Sequence, residues 1–468
     1  MREHYARRVA DPAELERFQK RHRYYYASLA RLLQFHIPPG ARVLEVGCGT
    51  GDLLAALKPA RGVGIDASAD VVAHATEKHP DLTFIAAYPE EFELDETFDY
   101  VVLCNTIGDY ADVQRVLERV ARVSTTDTRI CIAYYNALWE PALRLASAMH
   151  FRRRVAEQNW LSFWDLENLL ALEGFEVIRK STELMCPINV PLVAGLCNRF
   201  LVRLGLINHL GLVTFLVAKP AGPPAGAESF TCSVIIPARN EEGNIAAAVA
   251  RTPTMGRHTE IIFVEGNSND GTAGEIERVI TTNPDKDLAL IRQGTGRGKG
   301  DAVRKGFAAA KGDVLMILDA DLTVPPEDLP KFFDALVAGR GEFINGTRLV
   351  YPLEEQAMRF LNKLGNRFFS LAFTWLLEQR FRDTLCGTKV LRRRDYDRIA
   401  ANRHYFGEFD PFGDFDLIFG AAKADMKIIE VPVRYRARTY GETNISRFRH
   451  GWLLLKMTWF AARKLKWR

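Results

Sequence analysis

Two aspartates one residue apart, Asp319 and Asp321 in LMILDADLTVPP (315–326), end an apolar, strand-like run. Carboxylates at a strand end project into one crevice and repel each other unless a cation lies between them, which suits Mg²⁺ or Mn²⁺. Substrate phosphates usually complete the oxygen shell of such ions. Alone, this pattern is common in loops. Here three segments precede it in order: VIIPARNEEGNI (234–245), VEGNSNDGT (264–272) and GRGKGDAVRKGF (296–307). A second constellation is VLEVGCGTG (43–51), where Gly47, Gly49 and Gly51 follow a strand-like run and precede helix-forming DLLAALK. Glycine lets the backbone turn tightly and approach a ligand with no Cβ in the way. Asp66 ends the next strand-like run, roughly 20 residues on, where an acid can bind a ribose hydroxyl. The spacing is GxGxG, with no pyrophosphate-type GxGxxG, which disfavours a dinucleotide. Cys48 inside the turn reads as a small packing residue rather than a nucleophile.

These residues need elements to hold them. Residues 1–38 read as a helical lead-in that ends at Pro38-Pro39-Gly40. Short apolar runs follow at 42–46, 62–66, 83–87, 99–104 and 129–135, alternating with helical stretches. That alternation predicts an α/β fold with a parallel sheet and right-handed crossovers. EVIRKS and LVTFLVAKP read as closing strands. AGPPAGAE (221–228) breaks the pattern as a linker. A second βα series starts at 231 and continues through EIIFVEG (260–266) and DVLMILDAD (313–321). The predicted organisation is a domain over 1–220, a linker over 221–228 and a domain over 229–468.

Residues 38–220 resemble class I S-adenosylmethionine-dependent methyltransferases. The likeness rests on Glu45, Gly47, Gly49 and Gly51, on Asp66, on FDYVVLCNTIGDYAD (98–112) and on SFWDLENLLALEGFEVI (162–178). It implies that the glycine turn holds the methionine part of the cofactor, Asp66 grips its ribose, and Glu45 orients its ammonium. Asn105, Asp109 and Tyr110 would border the methyl acceptor. One departure is Ala87, where many relatives carry an acid that contacts adenine. A domain that senses the cofactor without transferring methyl is therefore an alternative.

Nearly all of 229–468 resembles family 2 glycosyltransferases of the GT-A fold, which implies an inverting, metal-dependent transfer from a nucleotide sugar. By that resemblance Pro237, Ala238, Arg239 and Glu241 line the nucleotide, Asp270 contacts the base, and Lys299 and Gly300 lie near base or diphosphate. Asp319 and Asp321 hold the metal and sugar nucleotide. Glu265-Gly266 stands where an aspartate pair is usual, which leaves UDP and GDP both open. DTLCGTKVLRRRDY (383–396) and the segment 412–446 look like the dolichyl- or polyprenyl-phosphate glucosyl- and mannosyltransferases. This implies a polyprenyl-phosphate acceptor, with Asp383 and Asp416 on the acceptor side and Arg438, Gly441 and Thr443 near its phosphate. Asn444 stands where Lys is commoner. An anionic phosphate needs no strong base, and Arg434, Arg436 and Arg438 could hold it bidentately. A hydroxyl acceptor, as in a soluble enzyme acting on a saccharide, would instead need Asp416 or Asp414 to take its proton.

Net charge is +4 from 62 basic and 58 acidic residues, too little to argue for nucleic acid. From Arg434 onward, however, ten basic residues face only Glu442. With Trp452, Trp459 and Trp467 among them, 451–468 reads as a basic helix lying at a membrane interface. FFSLAFTWLL (368–377) suits membrane contact or a core helix equally. No uncharged apolar run reaches the ~18–20 residues of a spanning helix. Seven scattered cysteines without a CxxC pair argue against zinc and disulfides. With no apolar leader-like segment at the N-terminus, these features predict a cytoplasmic protein, peripheral at the inner face of the membrane.

Overall fold

Seven strands form the first sheet: β1 (Arg42–Val46), β2 (Arg61–Asp66), β3 (Thr83–Ala86), β4 (Phe98–Cys104), β5 (Ser124–Tyr135), β6 (Phe175–Glu183) and β7 (Val213–Pro220). Seven more form the second: β8 (Thr231–Ala238), β9 (His258–Glu265), β10 (Asp287–Arg292), β11 (Val314–Ile317), β12 (Phe343–Thr347), β13 (Lys389–Arg392) and β14 (Ile428–Pro432). The computed structural model describes residues 4–5, 11–149, 158–205, 207–222, 226–296, 298–348, 360–405, 415–436, 440 and 447–467. The candidate residues Asp414, Arg438, Gly441, Thr443 and Asn444 lie outside the described residues, as does the centre of the proposed linker. The chain divides into two units, Met1–Gly222 and Pro223–Arg468.

In the first unit the order is β3-β2-β1-β4-β5-β7-β6. β1 pairs in parallel with β2 and β4, and β4 with β5. The expectation of a wholly parallel sheet fails at β7, which runs antiparallel to both β5 and β6. β7 lies between β5 and β6, and its return against β6 makes an antiparallel pairing that needs no crossover helix. Val43, Leu44 and Val46 are fully buried, as a central strand covered on both faces requires.

In the second unit the order is β10-β9-β8-β11-β13-β12-β14. β8 is parallel to β9 and β11, while β13 is antiparallel to β11 and β12. Helices Gly298–Ala309 and Leu329–Val337 contribute Val303, Phe307, Phe332, Phe333 and Leu336 to the buried interior. The apolar helix Phe360–Leu377 has two faces. It buries Phe369, Phe373, Leu376 and Leu377 and exposes Phe368 and Leu371. It packs against the terminal helix Arg447–Leu465.

Candidate active sites

In the first unit β1 runs straight into the glycine turn. Gly47, Gly49 and Gly51 all have positive φ, at 83°, 53° and 75°. A Cβ on Gly47 would collide with Thr106, so the turn is closed to any larger residue on that side. The backbone N–H groups of Gly47 and Cys48 donate to the Ile65 carbonyl at 2.7 and 2.9 Å, which ties the turn to β2. The Gly49 N–H donates to Asp66 Oδ2 and the Ser68 N–H to Asp66 Oδ1, each at 3.0 Å. Burial pushes the Cys48 thiol up, as expected of a packing residue and not of a nucleophile.

A cavity of about 480 Å³ opens over this turn. Glu45, Gly47, Cys48, Gly49, Asn105, Thr106 and Asp109 line it, whereas Gly51, Asp66 and Tyr110 do not. Gly51 caps the helix Asp52–Leu57, and half-buried Asp66 ties the turn to the end of β2. The Tyr110 hydroxyl donates to the Val46 carbonyl at 2.9 Å, fixing the loop that carries Asp109. Glu45 is 3% exposed, and its Oε2 has no hydrogen-bond partner among the described residues. Burial, with Asp66 and Asp52 nearby, holds the Glu45 carboxyl well above the usual carboxylate range. An acid in this state is poised to receive a cation.

The lead-in proves to be a wall of that cavity, which sequence reading missed. Helix Pro12–Arg21 contributes Leu15, Glu16, Phe18, Gln19 and Lys20 to the lining, and helix Arg23–His36 contributes Arg23 and Tyr26. The first of these helices buries no residue and is held by polar contacts. Lys78 and His74 donate to Glu16 at 2.7 and 3.1 Å, and Thr50 Oγ donates to Gln19 at 2.9 Å. The partners lie more than 30 residues away, so only the 3.6-residue period of the lead-in gave a sequence signal.

In the second unit the ends of three strands, β8, β9 and β11, carry the candidate residues. Pro237 and Ala238 end β8, in register with Val264 and Glu265 on β9. Arg239 is exposed beyond them, and Asn240 adopts a left-handed φ of 57°. That turn hydrogen-bonds to the loop after β9: Asn240 N–H donates to Ser268 Oγ at 3.1 Å and Asn269 N–H to Asn240 Oδ1 at 2.8 Å. Glu241 is buried, accepts from Asn244 at 2.7 Å, and its own N–H donates to Thr272 Oγ at 2.9 Å. Glu265 is also buried and accepts from the Ser268 N–H at 2.6 Å. Partial burial raises the Asp270 carboxyl, but bonds from Thr272 and the Glu242 N–H outweigh it and leave it low. Gly300 is buried in the helix that begins at Gly298.

Lys299 Nζ lies 2.6 Å from Asp319 Oδ1 at the tip of β11. Burial opposes the Asp319 charge, yet Lys299, Lys389 and Arg348 hold the carboxyl below the usual range, so it is ionised. Asp321 accepts from the Thr323 N–H and hydroxyl at 3.1 and 2.8 Å, and the Thr323 carbonyl accepts from the Arg436 N–H at 2.9 Å. The turn that holds Asp321 therefore meets the chain at Arg436. A Cβ on Gly387 would collide with the Asp319 carboxylate, so the 383–388 loop backs the same site. Among the described residues no group of three His, Cys, Asp or Glu could hold a metal. Two carboxylates, one already facing a cation, fit an ion that takes its remaining ligands from a diphosphate.

Asp383 and Asp416 both lie largely enclosed beside arginines. Asp383 is fully buried and bidentate to Arg348, with Nε–Oδ2 and Nη2–Oδ1 both at 2.7 Å. Burial opposes its charge, but Arg348 keeps the carboxyl low. Asp416 lies in the first turn of helix Phe415–Lys423, its side chain only 9% exposed, with Arg403 and Arg304 at 3.4 and 3.7 Å.

Comparison with known proteins finds one family match in each unit. The family model "Methyltransferase domain" matches residues 17–180, and "Glycosyl transferase family 2" matches residues 233–399. The chain thus carries a methyltransferase domain and a family 2 glycosyltransferase domain, both enzyme classes. A dolichol-phosphate mannosyltransferase of Saccharomyces cerevisiae is 40% identical over 113 residues, 23% of this chain and 42% of the relative. An undecaprenyl-phosphate 4-deoxy-4-formamido-L-arabinose transferase of Edwardsiella ictaluri is 34% identical over 219 residues, 45% of this chain and 62% of the relative. The chain thus spans less than two thirds of either. A solved S-adenosylmethionine-dependent methyltransferase of Thermotoga maritima is 18% identical, covering 44% of this chain and 94% of its own with a TM-score of 0.35.

Proposed function

We propose that the chain is a bifunctional enzyme. Its second unit transfers a sugar from a nucleotide sugar to a polyprenyl phosphate with inversion, and its first unit methylates an acceptor from S-adenosylmethionine. The observation that carries the glycosyl reading is the meeting of Asp319, Asp321, Lys299 and the Arg436 backbone at the tip of β11. Two relatives that move different sugars share a polyprenyl phosphate in their names, which favours that acceptor class.

Asp319 and Asp321 would hold Mg²⁺ or Mn²⁺, which when bound supplies neutralisation of the departing diphosphate. Pro237, Ala238, Arg239, Glu241, Glu265 and Asp270 form the wall for the nucleotide, and Lys299 and Gly300 lie on the diphosphate side. The acceptor phosphate is ionised at neutral pH and attacks the anomeric carbon from the face opposite the leaving group. Arg434 and Arg436, both exposed, would grip it. No side chain need take a proton. Asp383, locked to Arg348, positions the loop behind Asp319, and Asp416 is held between arginines. In the first unit Glu45 would pair with the ammonium of the cofactor, and Gly47 and Gly49 would let its methionine part approach the backbone.

No described helix is long and apolar enough to cross a membrane. Helix Arg447–Leu465 buries Leu454, Met457, Ala461 and Ala462 and exposes Trp452, Leu455 and Trp459, which supports peripheral contact with the inner face of a membrane. The test supplies the purified protein with labelled sugar nucleotides, polyprenyl phosphate and Mn²⁺. Label enters the organic phase, and Asp319→Ala lowers the rate by about two orders of magnitude or more, the ~2.7–4 kcal/mol typical of losing one electrostatic stabiliser. Label that stays aqueous with every sugar nucleotide rules out the lipid acceptor.

A further inference from the structure

Between Glu183 and Glu228 the chain carries no acidic residue, and of the basic residues in that span Arg199 and His209 are exposed while Arg203 and Lys219 are buried. The part between β6 and β7 leaves the first sheet as a short helix, Val193–Arg199, followed by two 3-10 turns. It is anchored from beneath by buried Ala194 and Val202 and by the Arg203–Glu183 pair at 2.5 Å. Asn198 closes it, donating to the Cys186 carbonyl and accepting from the Cys186 N–H, both at 2.8 Å. What this ordered segment presents outward is apolar. Ile188, Leu192, Val193, Leu196, Phe200 and Leu204 are between 42% and 92% exposed. Leu192 is the extreme, at 92%, and its φ of 62° lies in a region unfavourable to leucine.

A second apolar strip lies beside it. Leu138, Leu145 and Met149 are 52–59% exposed. Trp139 Nε1 donates to the Leu210 carbonyl at 3.0 Å, and Asn136 Nδ2 to the His209 carbonyl at 2.8 Å, which holds the two strips together. An apolar face of this kind is not left to water without a partner. It also adjoins the cofactor cavity: Asn198 Nδ2 donates to the Tyr24 hydroxyl at 3.2 Å, on the helix whose Arg23 and Tyr26 line that cavity.

We propose that the 186–210 segment is a bilayer-docking surface that seats the methyltransferase unit on anionic lipid. A protruding leucine tip, an absence of acids and a flanking Arg199 fit an acyl–headgroup boundary of negative potential. This surface is separate from the tryptophan face of the terminal helix and stands whether or not methyl is transferred.

The native cysteines provide the test. Cys186 and Cys197, both in the segment, are partly exposed, and the other five are buried. An environment-sensitive thiol dye on the full chain therefore reports this segment. Vesicles of phosphatidylcholine and phosphatidylglycerol in equal parts should shift its emission to the blue and allow quenching by lipid-borne nitroxides. Phosphatidylcholine alone should give a several-fold weaker response. Leu192→Asp/Leu196→Asp should remove the response and leave S-adenosylhomocysteine binding by calorimetry unchanged. Trp452→Ser/Trp459→Ser, on the terminal helix, should leave the dye response in place. The inference is overturned if vesicles pellet the protein while the dye stays in a water-like environment. It is equally overturned if the blue shift follows protein concentration without lipid, since a second copy would then cover the face. Failure of the wild-type chain to bind S-adenosylhomocysteine would strike the methyltransferase reading alone.

Discussion

At the scale of single residues, Glu45 and Asp383 show how burial assigns a carboxylate its role. Both are enclosed, but Asp383 has Arg348, whereas Glu45 Oε2 has no partner among the described residues. Glu45 therefore holds its proton to higher pH in the folded chain than in the unfolded one. The stability linked to that proton is complete below the unfolded value, near ~4.3, and is lost as pH rises through the raised folded value. A bound ammonium reverses the preference, because it favours the carboxylate. Cofactor affinity should thus rise with pH across that window, with release of a proton. Calorimetry in buffers of different ionisation enthalpy measures that proton directly. Glu45→Gln should abolish the release and weaken binding roughly 10- to 150-fold, the ~1.5–3 kcal/mol of a hydrogen bond to a charged group. Identical heats in all buffers would show that Glu45 does not meet the cofactor.

At the scale of elements, the helix Pro12–Arg21 is the least expected feature. It covers the cavity yet contributes nothing to the core, so its docking depends on Glu16 and Gln19. Hydrogen bonds from Lys78 and His74 lower the Glu16 carboxyl to about 2. Such a partly exposed network contributes at most about 1 kcal/mol to stability. Removing it should loosen the wall without unfolding the unit. Glu16→Ala should speed cofactor dissociation several-fold in stopped-flow displacement, with a shift in melting temperature of only a few degrees. An unchanged dissociation rate would mean that the helix is a fixed wall. The terminal helix obeys similar logic with a different filling. Its buried stripe of Leu454, Met457 and Ala461 holds it, and Trp452 and Trp459 stay exposed.

At the scale of the whole molecule, each unit closes its own interior. The clusters around β1, β4 and β5 draw only on residues before 220, and the cluster around β8, β9 and β11 only on residues after 226. Ligands should therefore act on one unit at a time. S-Adenosylhomocysteine at about 100 times its Kd should stabilise one calorimetric transition by ~2.7 kcal/mol, and a sugar nucleotide with Mn²⁺ should move the other. A single transition that both ligands shift would contradict separate cores.

What the sequence determined by itself was local and periodic. The glycine turn, the aspartate pair, the order of motifs and the alternation of strand and helix are short-range patterns, and they delivered two α/β sheets with the turn and the carboxylates at strand ends. Tertiary structure alone decided what depends on distant chain meeting in space. It set β7 and β13 antiparallel, because pairing direction follows from where the chain returns and not from the strand's own residues. It turned the lead-in into a cavity wall, tied Asp66 to the Gly49 N–H, and enclosed Asp383 with Arg348. Burial and pairing across 35 residues or more change what a carboxylate can do, and no spacing along the chain records them.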